Sequence, residues 1–344
     1  MLSKHYYALS LAASNSVYFL SPGRSAYEHA HFPSNIHILD TPRKIPGLRH
    51  LPDFIRRRMM MVQVKSVLDQ METLPTVVWS FDNSWLYELD LFGSSCLKIG
   101  HVVDFNMDFQ TERFAMTSDI CLGITDDIVK RLSRHQAKSF KLGHGYFEMV
   151  TEDPPAEKVF TAFYGGNLLI PYINRHMLLT LVKRHPAVRF AFVGSMGKGN
   201  LNNSVSEEDQ FFIDNLKERD NVILKARLNP QEYRAEIAKA DVCLLVYDHE
   251  NYAHQAANSH KILEYFGAGK AVISFPIEAY KDNPLLITCH TEKAYEDTFD
   301  QVVADPKSVS GQSQIAERKL FALQRSYTNR IAQIQKLLND HVQH

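Results

Sequence analysis

The sequence predicts an α/β protein of two domains built on parallel sheets, and three observations predict it. Short β-branched or aromatic runs alternate with amphipathic helical runs along most of the chain, the pattern of strands joined by crossover helices. The 344 residues exceed what one ordinary core organises. The alternation breaks at Thr151-Glu152-Asp153-Pro154-Pro155-Ala156-Glu157-Lys158, a polar stretch without periodicity, which reads as a linker.

In the first half, strands are expected at Val17–Leu20, Ile36–Leu39, Val77–Trp79, Leu97–Ile99 and Ile120–Ile124, with helices over Leu2–Ala13, Pro52–Gln70 and Asp126–Ser133. The chain opens on a helix where doubly wound domains usually open on a strand, so a first strand is expected to be missing. After the linker the alternation restarts. Strands are expected at Val159–Tyr164, Val188–Val193, Asn221–Leu224, Val242–Val246 and Ala271–Ser274. Helices are expected at Pro171–Arg184, Glu207–Glu218, Pro230–Ala240 and Ser259–Ala268. Asn229-Pro230-Gln231-Glu232 is a helix start, with a capping Asn, Pro in the first turn and Glu three residues after the cap. From Gln314 to about Val342 one long helix closes the chain. The expected division is an N-terminal domain over 1–152, a C-terminal domain over 153–312 and a closing helix over 313–344.

Composition excludes several classes. A net charge of -1 argues against binding nucleic acid by bulk electrostatics. Cys96, Cys121, Cys243 and Cys289 are scattered without a C-x-x-C pair, as expected of reduced, buried thiols in a cytoplasmic protein. No stretch approaches the roughly 18 apolar residues of a spanning helix, and no signal-peptide core is present. The His and Cys residues have no metal-ligand spacing, and no Asp-x-Asp occurs, so no metal is expected.

The segment richest in chemistry is 258–274, Asn-Ser-His-Lys-Ile-Leu-Glu-Tyr-Phe-Gly-Ala-Gly-Lys-Ala-Val-Ile-Ser. Ser259 reads as a helix cap, which puts Lys261 in the first turn, where a cation opposes the helix dipole. Lys261 before Glu264 is also the less favourable order for a helical ion pair. That local cost makes sense if an external anion sits on the free backbone amides, with the lysine adding charge. The physical reading leaves two accounts standing: an anion site, or a surface helix with an incidental Lys–Glu pair.

The stretch from Ser259 to Ser274 resembles the donor-site helix of GT-B-fold glycosyltransferases. It is closest to bacterial polysaccharide and teichuronic-acid-type transferases with a Lys-x-x-Glu-Tyr helix. The resemblance implies two Rossmann-like domains facing across a cleft, with the acceptor in the first, a sugar nucleotide in the second and a last helix crossing back. Phe163-Tyr164-Gly165-Gly166-Asn167 resembles the family's glycine turn after the first donor-domain strand, where small residues let backbone approach a diphosphate. Ala240-Asp241-Val242-Cys243-Leu244-Leu245-Val246-Tyr247 resembles the strand leading into the donor pocket. By that likeness Lys261 contacts the diphosphate and Glu264 the ribose. Asn258 and Ser259 lie near the phosphates or sugar, and Gly165, Gly166, Asn167 and Tyr247 complete the donor site. The co-substrate is a nucleotide-diphosphate sugar, with a UDP-sugar expected, and no further cofactor is implied.

The match departs from the family at two positions. Ala256 stands where many retaining members carry a glutamate, and His260 stands where a proline is usual. Retaining and inverting outcomes therefore both remain open. So do a catalytically silent sugar-nucleotide or glycan-binding protein on the same fold and a sugar-nucleotide epimerase.

In the first half, Lys98-Ile99-Gly100-His101-Val102-Val103-Asp104 ends a predicted strand, where open α/β sheets place ligand groups. Asp104 is the first candidate for the base that deprotonates an acceptor hydroxyl, His101 the next and Asp82 a weaker one. Either of the first two reads equally well as the cap of a loop or helix. Gly194-Ser195-Met196-Gly197-Lys198-Gly199 lacks the Ser or Thr and the following helix of a phosphate loop, and reads as a loop near the donor site. Pro42–Lys65 carries Arg43, Lys44, Arg49, Arg56, Arg57, Arg58 and Lys65 against Asp53, interleaved with apolar residues. It reads either as a solvated helix face or as a contact, through Arg56, Arg57 and Arg58, with an anionic acceptor or the inner membrane leaflet. Relatives that act on lipid-diphosphate-linked glycans dock in this way. The expected partners are a nucleotide sugar and a glycan or lipid-linked acceptor in cell-surface polysaccharide synthesis.

Overall fold

The structure is a computed structural model that describes residues 3–20, 32–41, 45, 47–81, 87–103, 111–148, 159–196, 206–252 and 258–341. The chain forms two compact units: Met1–His144 with Tyr327–His344, and Gly145–Ser326. The predicted linker falls mostly at 149–158, outside the described residues.

The first unit begins with α1 (Ser3–Leu11), β1 (Val17–Leu20) and β2 (Ile36–Leu39), the two strands pairing in parallel. Next comes α2 (Asp53–Leu68), followed by β3 (Val77–Ser80) and β4 (Leu97–Val102). Then α3 (Thr111–Met116), β5 (Ile120–Gly123), α4 (Asp126–Leu132) and β6 (Ser139–Lys141) complete the run. Strands β3 to β6 make a parallel sheet in chain order. All four residues of β5 are buried, as a strand covered on both faces requires.

The second unit holds β7 (Thr161–Gly165), α5 (Arg175–Arg184), β8 (Arg189–Val193), α6 (Glu207–Lys217), β9 (Val222–Lys225) and α7 (Pro230–Lys239). It continues with β10 (Val242–Leu245), α8 (Lys261–Gly267), β11 (Ala271–Ser274), β12 (Ile287–Thr288), α9 (Glu292–Ala304) and α10 (Gln312–Leu323). Its sheet is parallel throughout, in the order β12-β11-β10-β7-β8-β9. This is the doubly wound order, and the chain reverses its winding between β7 and β10. Ligands bind outside the carboxyl ends of the strands at such a reversal. Strands β7 and β10 are wholly buried, and with β8, α5 and α8 they form the middle of the unit's core. Helix α7 starts as its sequence predicts, with Asn229 and Glu232 capping reciprocally and Pro230 in the first turn.

Two expectations change. The closing helix is two helices, α10 and α11 (Tyr327–His341), broken at 324–326. There Tyr146 donates its backbone N–H to the Arg325 carbonyl at 2.8 Å and bridges Ser326. That pairing pulls the chain off the helical path although the apolar spacing runs on. Only the second helix belongs to the first unit, in which Tyr6 and Tyr7 lie 5.4 and 4.7 Å from the Tyr327 ring. Helix α10 stays with the second unit, with Phe321 edge-on to Phe266 of α8.

Candidate functional site

The site grows from the carboxyl ends of β7 and β10. Gly165 ends β7, and its N–H donates to the Tyr265 hydroxyl at 3.0 Å. A β-carbon there would lie 2.0 Å from the Tyr233 hydroxyl oxygen, so only glycine fits. At Gly166 the backbone enters the positive-φ region at 145°, which glycine adopts without cost. A β-carbon there would stand 2.6 Å from Lys261 Cε and 3.1 Å from its Nζ. The missing side chain is therefore the space the lysine occupies. Asn167 closes the turn, its Oδ1 accepting from the Leu169 N–H at 2.9 Å.

The turn is joined to the next strand end. Gly166 N–H donates to the Val193 carbonyl at 2.8 Å, and Leu168 N–H to that of Ser195 at 3.0 Å. The β8 loop is thus pinned beside the glycine turn as far as Ser195, while 197–205 lies outside the described residues.

Opposite the turn, Lys261 Nζ donates to the Tyr247 hydroxyl at 2.9 Å. The ammonium lies 5.5 Å from the Tyr247 ring centre and 5.9 Å from that of Tyr164. Burial lowers the affinity of Lys261 for its proton, but the Tyr247 hydroxyl and Glu264 outweigh it, and the pKa lies above the ordinary lysine value. The group is cationic. Glu264, one turn on and half-buried, is pushed above the usual carboxylate range by burial, while Arg234 and Lys261 pull it back.

The structure thus brings Gly166, Tyr247, Ser259 and Lys261 together, with Gly165 and Glu264 flanking and Asn258 half-buried just before. Ser259 does not cap the helix. It is buried with its Oγ 3.4 Å from the Tyr247 hydroxyl, and the helix begins at Lys261 with no side-chain cap. Helix α8 is seven residues long, and the charge at its start is the lysine's own. The sequence reading missed Tyr164 and Arg234. Tyr164 was read as a strand end within the glycine-turn likeness without a contact of its own, and Arg234 is a charged residue of an amphipathic helix whose hydrogen-bond partners, Tyr146 and Phe147, lie 88 and 87 positions away.

In the first unit, Asp104 and Asp82 lie outside the described residues. His101 is 1% exposed. Its ring stacks on Trp79 at 5.9 Å, tilts against Phe81 at 5.0 Å and meets Tyr7 edge-on at 5.8 Å. Burial lowers its pKa to about 3, and among the described residues neither ring nitrogen has a hydrogen-bond partner. A base must touch the proton it removes. The buried ring does not offer that contact here, and Asp104 remains the first candidate.

The three arginines of α2 do not form one basic face. Arg56 is buried and pairs with Asp53 at 2.8 Å, with Glu88 3.8 Å away. Arg57 pairs with Glu88 and Asp90, and Arg113 with Asp53 and, at 3.0 Å, Glu88. Arg56 and Arg57 are thus held by internal acids, Glu88 and Asp90 coming from over 30 residues away. Arg58 alone of the three is exposed, beside Phe54, Ile55, Met61 and Val62.

No family model matches the chain, and no curated protein matches its sequence. Solved structures do resemble it. A glycosyltransferase from Rickettsia africae is 10% identical with a TM-score of 0.69, over 99% of this chain and 95% of that one. HepE of Anabaena, solved with UDP and glucose, is 12% identical with a TM-score of 0.63, over 98% and 95%. A TarM variant of S. aureus, solved with fondaparinux, alpha-GlcNAc-glycerol and UDP, is 14% identical with a TM-score of 0.55, over 81% of this chain. This chain spans only 59% of TarM's length. At such identities a likeness speaks for architecture alone, and the architecture is the GT-B fold of glycosyltransferases.

Proposed function

We propose that the chain is a glycosyltransferase that takes a sugar from a nucleotide-diphosphate sugar and passes it to a glycan or lipid-linked acceptor in cell-surface polysaccharide synthesis. The observation that carries this reading is a cationic lysine filling the side-chain space of Gly166 at the winding reversal of a doubly wound sheet. Such a place suits a diphosphate, because the side-chain-free turn leaves room beside a buried ammonium at the strand ends where α/β sheets place their ligands. UDP is the favoured nucleotide, in keeping with its presence in the TarM and HepE structures.

Lys261 stabilises the diphosphate as charge develops on it, and Glu264 accepts from the ribose hydroxyls. In an inverting reaction Asp104 takes the acceptor proton while the acceptor oxygen bonds the anomeric carbon. The bond from that carbon to the diphosphate breaks, and the nucleoside diphosphate leaves. The lysine supplies the charge that a metal supplies in other transferases, so transfer is metal-independent. The exposed Phe54, Ile55, Met61 and Val62 beside Arg58 suit a peripheral contact with the inner leaflet.

Replacing Lys261 with Ala tests the reading: transfer from UDP-sugars should fall by orders of magnitude, and full activity overturns it. UDP release that needs no acceptor at all would favour an epimerase or a hydrolase. UDP-sugar binding without release even when acceptor is present would favour a silent binding protein.

A further inference from the structure

We propose that Tyr247 is a positioning residue that parks the Lys261 ammonium against Gly166 before any ligand arrives. The proposal rests on the diphosphate reading of this site. It departs from a direct donor contact for Tyr247, whose side chain acts here through the lysine.

The geometry is specific. A lysine head sits on a flexible four-carbon stem and is costly to desolvate. Here it is fixed at one point by the Tyr247 hydroxyl at 2.9 Å, just beyond the ring's hydroxyl edge, with the Tyr164 ring centre 5.9 Å away. The Tyr164 ring adds an attraction for the cation through its quadrupole. Tyr247 is itself held: 3% exposed, edge-on to Tyr172 at 5.4 Å, and bridged through its backbone to Ile173. Because the phenol accepts from the lysine, its own proton is free for Ser259 Oγ, 3.4 Å away.

The choice of a phenol has a consequence. A carboxylate at this place would hold the ammonium more strongly but would neutralise it. A phenol accepts the hydrogen bond and leaves the full positive charge for an incoming anion. A diphosphate oxygen can then share or take over the ammonium proton that Tyr247 holds in the free protein.

Calorimetric titration of UDP into wild type, Tyr247→Phe and Lys261→Ala from pH 6 to above the Lys261 transition tests this. Tyr247→Phe keeps the ring and removes the acceptor, so UDP should bind roughly 10-fold more weakly at neutral pH. The alkaline limb of binding should also move to lower pH, since the lysine loses the group that raises its pKa; a merely structural role would leave that limb in place. Unchanged affinity and an unmoved limb in Tyr247→Phe, with binding lost in Lys261→Ala, overturn the positioning role alone. Undiminished binding in Lys261→Ala overturns the diphosphate reading itself. Should Tyr247→Phe not fold, the ε-methylene NMR signal of Lys261 in the ligand-free wild type, assigned by Lys261→Arg, decides. Titration above 10.5 supports the tether, and titration below it overturns it.

Discussion

Gly194 and Gly166 touch backbone to backbone: a β-carbon on Gly194 would lie 1.8 Å from the Gly166 carbonyl oxygen. Gly194 also sits at a φ of 153°, where a side chain is strained whatever the space. Gly194→Ala should therefore cost roughly 3 kcal/mol or more from strain and overpacking together. The damage should centre on the glycine turn. UDP affinity is expected to fall even at temperatures where the variant stays folded, as calorimetry beside a thermal melt would show. A variant of wild-type stability and affinity would refute the close approach.

Glu88 is buried among Arg56, Arg57 and Arg113. Removing one partner of a buried ionic cluster leaves the others uncompensated, which costs about 3 kcal/mol. Glu88→Ala should lower denaturant stability by about that amount, whereas Arg58→Ala should change it little, since Arg58 is exposed. Equal effects in urea titrations would show that the cluster does not organise α2.

These two cases mark what a sequence discloses. The strand and helix order was readable because buried parallel strands are continuous apolar runs and helices carry caps, as at Asn229. Resemblance, not spacing, set Gly166 and Lys261 each beside a diphosphate, and that the lysine fills the glycine's side-chain space was not readable at all. Glu88 and Arg57 stand 31 residues apart, with no local pattern to join them. A basic run therefore looked like a free face when two of its arginines, Arg56 and Arg57, were already matched by acids. The break at 324–326 was equally hidden, because Tyr146, which claims Arg325, lies far back in the chain.

The outward face of α2 gives a third test. Phe54, Met61 and Val62 are 76%, 53% and 67% exposed, with Arg58 on the same helical stripe. Each buried apolar side chain adds about 1.5–3 kcal/mol at most, so the double change Phe54→Glu and Val62→Glu should abolish sedimentation with phosphatidylglycerol vesicles. Arg56→Gln should matter far less to vesicle binding, because Arg56 faces inward. Sedimentation that survives the double change excludes this face as the lipid contact.

His101 yields a pH prediction whose sign is fixed. Its pKa is lowered from 6.5 to about 3, first by burial and then by His144 and Arg330. Above pH 6.5 the ring is neutral in both folded and unfolded chains and contributes nothing to the pH dependence. Below 6.5 the unfolded chain takes up a proton that the folded chain refuses, so stability falls as pH drops toward about 3. The slope from this group is about 1.4 kcal/mol per pH unit. His101→Phe keeps a ring among Tyr7, Trp79 and Phe81 and removes the titration. Its urea stability should match wild type near neutrality within packing differences and exceed it progressively below pH 6. Parallel stability curves for the two proteins from pH 7 to 4 would mean that His101 is protonated in the folded state. In that event the ring has solvent access in solution and the case for it as an acid–base group reopens.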